Sequence, residues 1–173
     1  MDIIKPEEKY LQSYYEACKE TWEHVHDSYI LHDPDKFDEW QGTIFQEYEN
    51  QEKGINLSDG FMPSITYWII ENNEYAGTIN LRPVLSNQLR EYGGHAGYVI
   101  RLKYRNQGLA KKAGEWTLKK LRELNVSEIL LTCEETNTPS QKVLNKLLPS
   151  ICEKDTVMLN NKPTPIRRYY YNV

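Results

Sequence analysis

The chain has 173 residues, 39% hydrophobic and 27% charged, with a net charge of −4. That length suits one domain with one substantial core, and the composition excludes a disordered chain. The acidic balance argues against a general nucleic-acid binder, and no apolar run approaches membrane-spanning length. The start, MDIIKPEEKY, lacks the cationic and apolar regions of a secretory signal. Cys18, Cys133 and Cys152 are widely spaced without a CxxC pair, which reads as free thiols in a reducing compartment. The expected location is the cytoplasm. The 13 tyrosines fit either a polar-aromatic interior or a substrate groove.

In chain order, Ile3 and Ile4 open a short edge strand. Pro6 suits the first turn of a helix, with Glu7 and Glu8 near its positive end. Tyr10, Leu11, Tyr14, Cys18 and Trp22 then recur at helical spacing. His24 and His26, two apart near that helix's end, do not face the same way, so no metal site is expected there or elsewhere. Asp33-Pro34 restarts a helix whose apolar face is Phe37, Trp40, Ile44, Phe45 and Tyr48. The pattern fades before Gly54, and GINLSDGFMP is a loop. SITYWII and YAGTINLR read as strands joined by the tight turn ENNE. Pro83 to Glu91 is a polar connection. GGHAGYVIRL is a third strand of this group. Leu109 to Leu124 is helical, with Ala110, Ala113, Thr117, Leu121 and Leu124 on one face. SEILLTC has the apolar run of a buried strand in a parallel pairing. Ser140 to Leu148 is another helix. DTVMLN, the turn NK and TPIRRYYYNV make a closing hairpin. The predicted fold class is α/β (α+β mixed sheet): one domain over 1–173 with a mostly antiparallel central sheet and one parallel strand-helix-strand crossover. A ligand is expected outside the carboxyl ends of the crossover strands.

The stretch GYVIRLKYRNQGLAKKAGEWTL surrounds Gly108 with Arg101, Lys103, Arg105, Lys111 and Lys112. A strand running through a glycine turn into a helix makes an anion site. The first helical N–H groups lack intrahelical partners, and the positive end of the dipole lies behind them. The amides of Asn106, Gln107, Gly108, Leu109 and Ala110 can curl round a diphosphate. Glycine at 108 allows close approach, Ala110 stays small, and Arg105 offers a forked contact. The short motif alone occurs by chance in roughly one chain of this length in six. Its position at a strand-helix junction is what gives it weight.

RNQGLA fits the Gln/Arg-x-x-Gly-x-Gly/Ala signature, and the chain here resembles the GNAT superfamily of N-acetyltransferases. A second match is LLTCEETNTPSQKVLNKL, with Asn137 after a strand and Ser140 in the helix that follows. The order of elements matches the family over essentially the whole chain. EYGGHAGYVIR, LLTCEETNTPSQKVL and the ending RRYYY resemble a bacterial branch of acetyltransferases of undefined substrate. One departure stands out. Many such enzymes carry a tyrosine in the helix after the asparagine that protonates the departing thiolate, and SQKVLNKLL has none.

The resemblance implies acetyl transfer from acetyl-CoA to a primary amine of a small molecule or peptide by direct attack, with dimers common among similar proteins. The alternative is a non-catalytic acyl-CoA module for sensing or scaffolding. CoA would lie along Ile100, Leu102 and the turn from Arg105 to Ala110, with Asn137 and Ser140 beside its pantetheine arm. An alkylamine at pH 7.4 lies about three units below its pKa, roughly 4 kcal/mol for the site to offset. A base therefore helps, and backbone N–H groups of the Tyr98 to Leu102 stretch, Ile100 foremost, can hold the thioester oxygen. His95 is a candidate base, although strand parity sets it on the face opposite Tyr98. Tyr98 is a second candidate. Glu134 and Glu135 follow the buried strand as base or amine anchor. Cys133 reads as a buried thiol, since direct attack needs no acyl-enzyme. Asp35, Asp38 and Glu39 would favour a cationic acceptor if they bordered the groove.

Overall fold

The computed structural model describes residues 1–22, 31–58, 60–148 and 152–172. His24 and His26 lie outside the described residues. The first sheet holds β1 (Asp2–Ile4), β2 (Ile65–Glu71), β3 (Glu74–Leu81) and β4 (Ala96–Ile100), antiparallel in that order. The second holds β5 (Glu128–Glu134), β6 (Cys152–Leu159) and β7 (Lys162–Asn172), with β7 in the middle. The helices are α1 (Leu11–Trp22), α2 (Phe37–Trp40), α3 (Ile44–Lys53), α4 (Asn87–Glu91), α5 (Leu109–Glu123) and α6 (Thr138–Leu147). This is the mixed α/β, largely antiparallel architecture predicted from the sequence. Among the described residues no helix is long and apolar enough to cross a membrane.

Alternation along β2 explains why helices cover both faces of the first sheet. Trp68 and Ile70 face one way, where they pack with Tyr14, Ala17 and Cys18 of α1, Ile44 of α3 and Tyr75. Tyr67 and Ile69 face the other, into a cluster with Leu109, Ala113 and Leu121 of α5, Ile129 and Leu131 of β5, and Tyr169 of β7. Each fully buried aliphatic such as Ile69 or Leu121 contributes about 2 kcal/mol. Tyr14, Tyr75 and Tyr169 are completely buried, so much of the tyrosine content belongs to the interior. Tyr14 stacks on Trp68 at 4.7 Å between ring centres and meets Tyr75 edge-on at 4.9 Å.

Several boundaries differ from the sequence reading. The helix after Asp33-Pro34 is broken: a 3₁₀ turn at Pro34–Lys36 runs into α2, and α3 restarts at Ile44 past Gly42, a weak helix former. The polar connection contains α4, capped where the Ser86 hydroxyl accepts from the Leu89 amide. The closing hairpin turns at Asn160 and Asn161, both left-handed, one residue earlier than NK. β5 finds its ladder antiparallel to β7.

Two of the five cations near Gly108 are structural. Arg101 is buried and grips Glu20 of α1 with a fork, Nε to Oε2 at 2.8 Å and Nη2 to Oε1 at 2.6 Å. Its Nη1 also donates to Ser13 Oγ and the Tyr75 carbonyl, both at 3.2 Å. Lys103 pairs with Glu74.

Candidate active site

The site begins with the edge of β4. Arg101 N–H donates to the Ala76 carbonyl at 2.9 Å, and Arg82 N–H to the His95 carbonyl at 2.8 Å. Gly77 stands opposite Ile100 and Leu81 opposite Ala96. This parity turns Gly97 and Val99 toward β3, and turns the N–H groups of Ala96, Tyr98 and Ile100 to the other edge. That edge faces β5, with which β4 forms no ladder.

The two strands are fastened just before β4 starts. His95 N–H donates to the Leu130 carbonyl at 2.8 Å, and Leu130 N–H returns a bond to His95 Nδ1 at 2.9 Å. Gly94 makes this approach possible. Its φ is +60°, and a Cβ there would stand 2.4 Å from the Leu130 oxygen. Beyond this fastening β4 pairs with β3 and β5 with β7, and the strands part.

A cavity of about 500 Å³ opens in the gap, lined by Tyr98, Cys133, Glu134, Asn137, Ser140 and Gly114 among others. A second, of about 570 Å³, lies between α3, the loop after it and α4, with Glu47, Asn50, Leu57, Phe61, Asn80 and Arg82 on its wall. Tyr92 and Gly93 line both cavities. The sequence reading missed Tyr92. A turn tyrosine before two glycines carries no local signal, and its importance comes from being a shared wall.

Each candidate residue has a definite place. Tyr98 is half-buried in the 500 Å³ cavity, and its hydroxyl shares a hydrogen bond of 3.2 Å with Ser140 Oγ of α6. Burial raises its phenol pKa. Asn137 caps α6, its Oδ1 accepting from Ser140 N–H at 3.1 Å, while still lining the cavity. Glu134 accepts from Tyr92 Oη and from Thr136 Oγ1, each at 3.3 Å. Glu135 is paired with Lys154 and Arg167 instead, at 3.1 and 3.2 Å, and Lys154 foremost holds its carboxyl below the ordinary range. Cys133 borders the cavity, but burial pushes its thiol up to about 11. His95 lines neither cavity. Its Nδ1 is taken by the Leu130 amide, and burial first of all lowers its pKa. Asp35, Asp38 and Glu39 line neither cavity.

The turn after β4 leaves a run of backbone amides without backbone partners. A 3₁₀ turn at Leu102–Tyr104 is followed by Asn106 at φ +60° and Gly108 at φ +82°, and α5 starts at Leu109. Leu109 is buried and anchors the helix start in the core. Among the described residues, no backbone bond is donated from positions 106–111, and Lys112 N–H is the first to reach back, to Gly108. A Cβ on Gly108 would meet nothing within 4 Å, so its open side faces free space. Side chains brace the turn: Arg105 Nε donates to the Ile100 carbonyl at 2.9 Å and Gln107 Nε2 to the Lys103 carbonyl at 2.7 Å. The rest of the exposed Arg105 guanidinium has no ion-pair partner among the described residues.

The gap between β4 and β5 and the amide-lined turn that opens α5 make one candidate site. The acetyltransferase (GNAT) domain family matches residues 3–147, and the chain belongs to that family of enzymes. Comparison with the sequences of curated proteins gives no match. Among solved structures the fold is similar to Mycobacterium smegmatis RimJ in complex with CoA-disulfide, at 14% identity and a TM-score of 0.73 over 98% of this chain and 80% of that one. A probable acetyltransferase shares 16% identity, with a TM-score of 0.69 over 98% and 91% of the two chains. RimL, a ribosomal-protein α-N-acetyltransferase in complex with coenzyme A, shares 14% identity, with a TM-score of 0.68 over 99% and 93%.

Proposed function

We propose that the protein transfers an acetyl group from acetyl-CoA to a primary amine of a small molecule or peptide, by direct attack of the amine on the thioester. The observation that carries this reading is the meeting of two cavities at Tyr92 and Gly93, one of them in the gap beside the unladdered edge of β4. Two reactants can enter from separate chambers and touch at one wall, which supplies the proximity a two-substrate transfer needs.

In this reading the amides of Asn106, Gln107, Gly108, Leu109 and Ala110 hold the pyrophosphate, with Arg105 adding charge. The pantetheine arm runs past Leu102 and Ile100 on one side and Asn137 and Ser140 on the other. The thioester oxygen receives the Ile100 N–H, a fixed dipole aimed where negative charge develops. The amine waits in the 570 Å³ cavity, whose wall mixes amide side chains with Leu57 and Phe61. The high pKa of Cys133 supports direct attack over an acyl-enzyme. The solved relatives extend the range of acceptors to consider. One is a spermidine N-acetyltransferase chimera, and another acts on a ribosomal protein.

A second reading, a non-catalytic acyl-CoA module, is favoured by one feature: α6 reads TPSQKVLNKL, without a tyrosine. Incubation with acetyl-CoA and a panel of amines, read by release of free thiol, separates the two. Release that depends on an amine supports the enzyme. Binding of acetyl-CoA with no release across small amines and peptide N-termini overturns it.

A further inference from the structure

Resting on that reading, we infer that Tyr92 and Glu134 form one proton-transfer dyad that serves both the attacking amine and the departing thiolate. Three observations converge on it. Tyr92 lines both cavities, so it borders whatever occupies either one. Its hydroxyl donates to Glu134 Oε1 at 3.3 Å, and Glu134 lines the cavity in the β4–β5 gap. Among the described residues Glu134 has no cationic partner, whereas the adjacent Glu135 is held by Lys154 and Arg167. The Glu134 carboxylate is held instead by hydroxyls, Tyr92 on one oxygen and Thr136 on the other.

The chemistry balances over these two side chains. The amine nitrogen bonds to the thioester carbon, and its N–H becomes acidic as that bond forms. The proton passes to the Tyr92 oxygen while the Tyr92 proton passes to Glu134. The carbon–sulfur bond then breaks and the electron pair leaves on sulfur. Carboxylic acids are stronger acids than thiols by about four pKa units, so the return of the proton from Glu134 through Tyr92 to sulfur runs downhill. The net change is amine N–H to thiol S–H, and the dyad ends as it began. A single dyad on the shared wall removes the need for a tyrosine in α6.

The test is a double-mutant cycle on amine-dependent thiol release with Tyr92→Phe, Glu134→Gln and the pair together, with acetyl-CoA binding measured on each protein. Each single variant should lose about 10²-fold in kcat while keeping its affinity for acetyl-CoA. The double variant should be no worse than the worse single, because two parts of one relay fail together. Singles within about twofold of the parent, or a double that loses the product of both effects, overturn the inference. A parent that binds acetyl-CoA but releases no thiol counts against the acetyltransferase reading itself. A crystal of the parent with CoA then decides the dyad separately. The sulfur within hydrogen-bond reach of Tyr92 Oη supports it, and the sulfur at the far end of the gap overturns it.

Discussion

Gly108 occupies the left-handed region at φ +82°, and nothing stands within 4 Å of where its Cβ would be. Substitution therefore strains the backbone without creating a clash inside the protein. Gly108→Ala should lose about 1 kcal/mol in a denaturant titration, the usual cost of that conformation for a side-chain-bearing residue. It should also weaken CoA by about tenfold in calorimetry, as one charge-assisted amide contact is pushed out of reach. Cys133 makes the opposite case. Burial lifts its thiol to about 11, so it carries its proton at neutral pH and is a poor nucleophile. Cys133→Ala should keep kcat close to the parent's while losing about 1 kcal/mol of stability to a small void. Loss of turnover with CoA binding intact would point to an acyl-enzyme after all.

Between elements, the fork from Arg101 to Glu20 joins the end of β4 to α1 across 81 positions of sequence. The guanidinium is almost wholly buried, and without Glu20 it keeps only the more distant carboxylates of Glu16 and Glu74, at 3.8 and 3.9 Å. Glu20→Gln should cost about 2 kcal/mol at pH 7 in urea unfolding. The hydrogen bond from Arg101 foremost holds the Glu20 carboxyl below its ordinary range. A carboxyl depressed in the folded state contributes stability that is fully present above its unfolded pKa and is lost as pH falls through the folded value. The parent should therefore lose stability below the ordinary glutamate range more steeply than Glu20→Gln. Parallel acid titrations of the two by circular dichroism would check this. The His95–Leu130 fastening sets where β4 and β5 begin to part, and so how deep the gap is.

At the scale of the whole molecule, the first sheet is clad on both faces, and the two cavities meet beyond the fastening of β4 to β5. A ligand spanning the turn and the gap would tie α5, β4 and α6 together. Acetyl-CoA at 100 times its dissociation constant should stabilise the fold by about 2.7 kcal/mol, read as a rise in Tm that depends on ligand concentration. No rise would remove the cradle from consideration. Much of this architecture is legible in the sequence. Alternation in SITYWII and YAGTINLR, the paired asparagines of ENNE, and the run into RNQGLA are all short-range signals. The break at Gly42 and the helix at Asn87–Glu91 are not legible there, since five residues of helix carry too few turns for periodicity to register.

The sequence by itself determined what depends on neighbours along the chain: the parity of β4, the left-handed turn at Gly108 and the unpartnered start of α5. Each follows from local sterics and hydrogen-bond geometry within a few residues. Only the tertiary structure decided which distant groups meet. Tyr92 reaches Glu134, and Tyr98 reaches Ser140, each across 42 positions. It also drew His95 against Leu130 and Arg101 against Glu20, partners that their residue types do not announce. Such contacts are selected by the packing of whole faces, which local pattern does not encode.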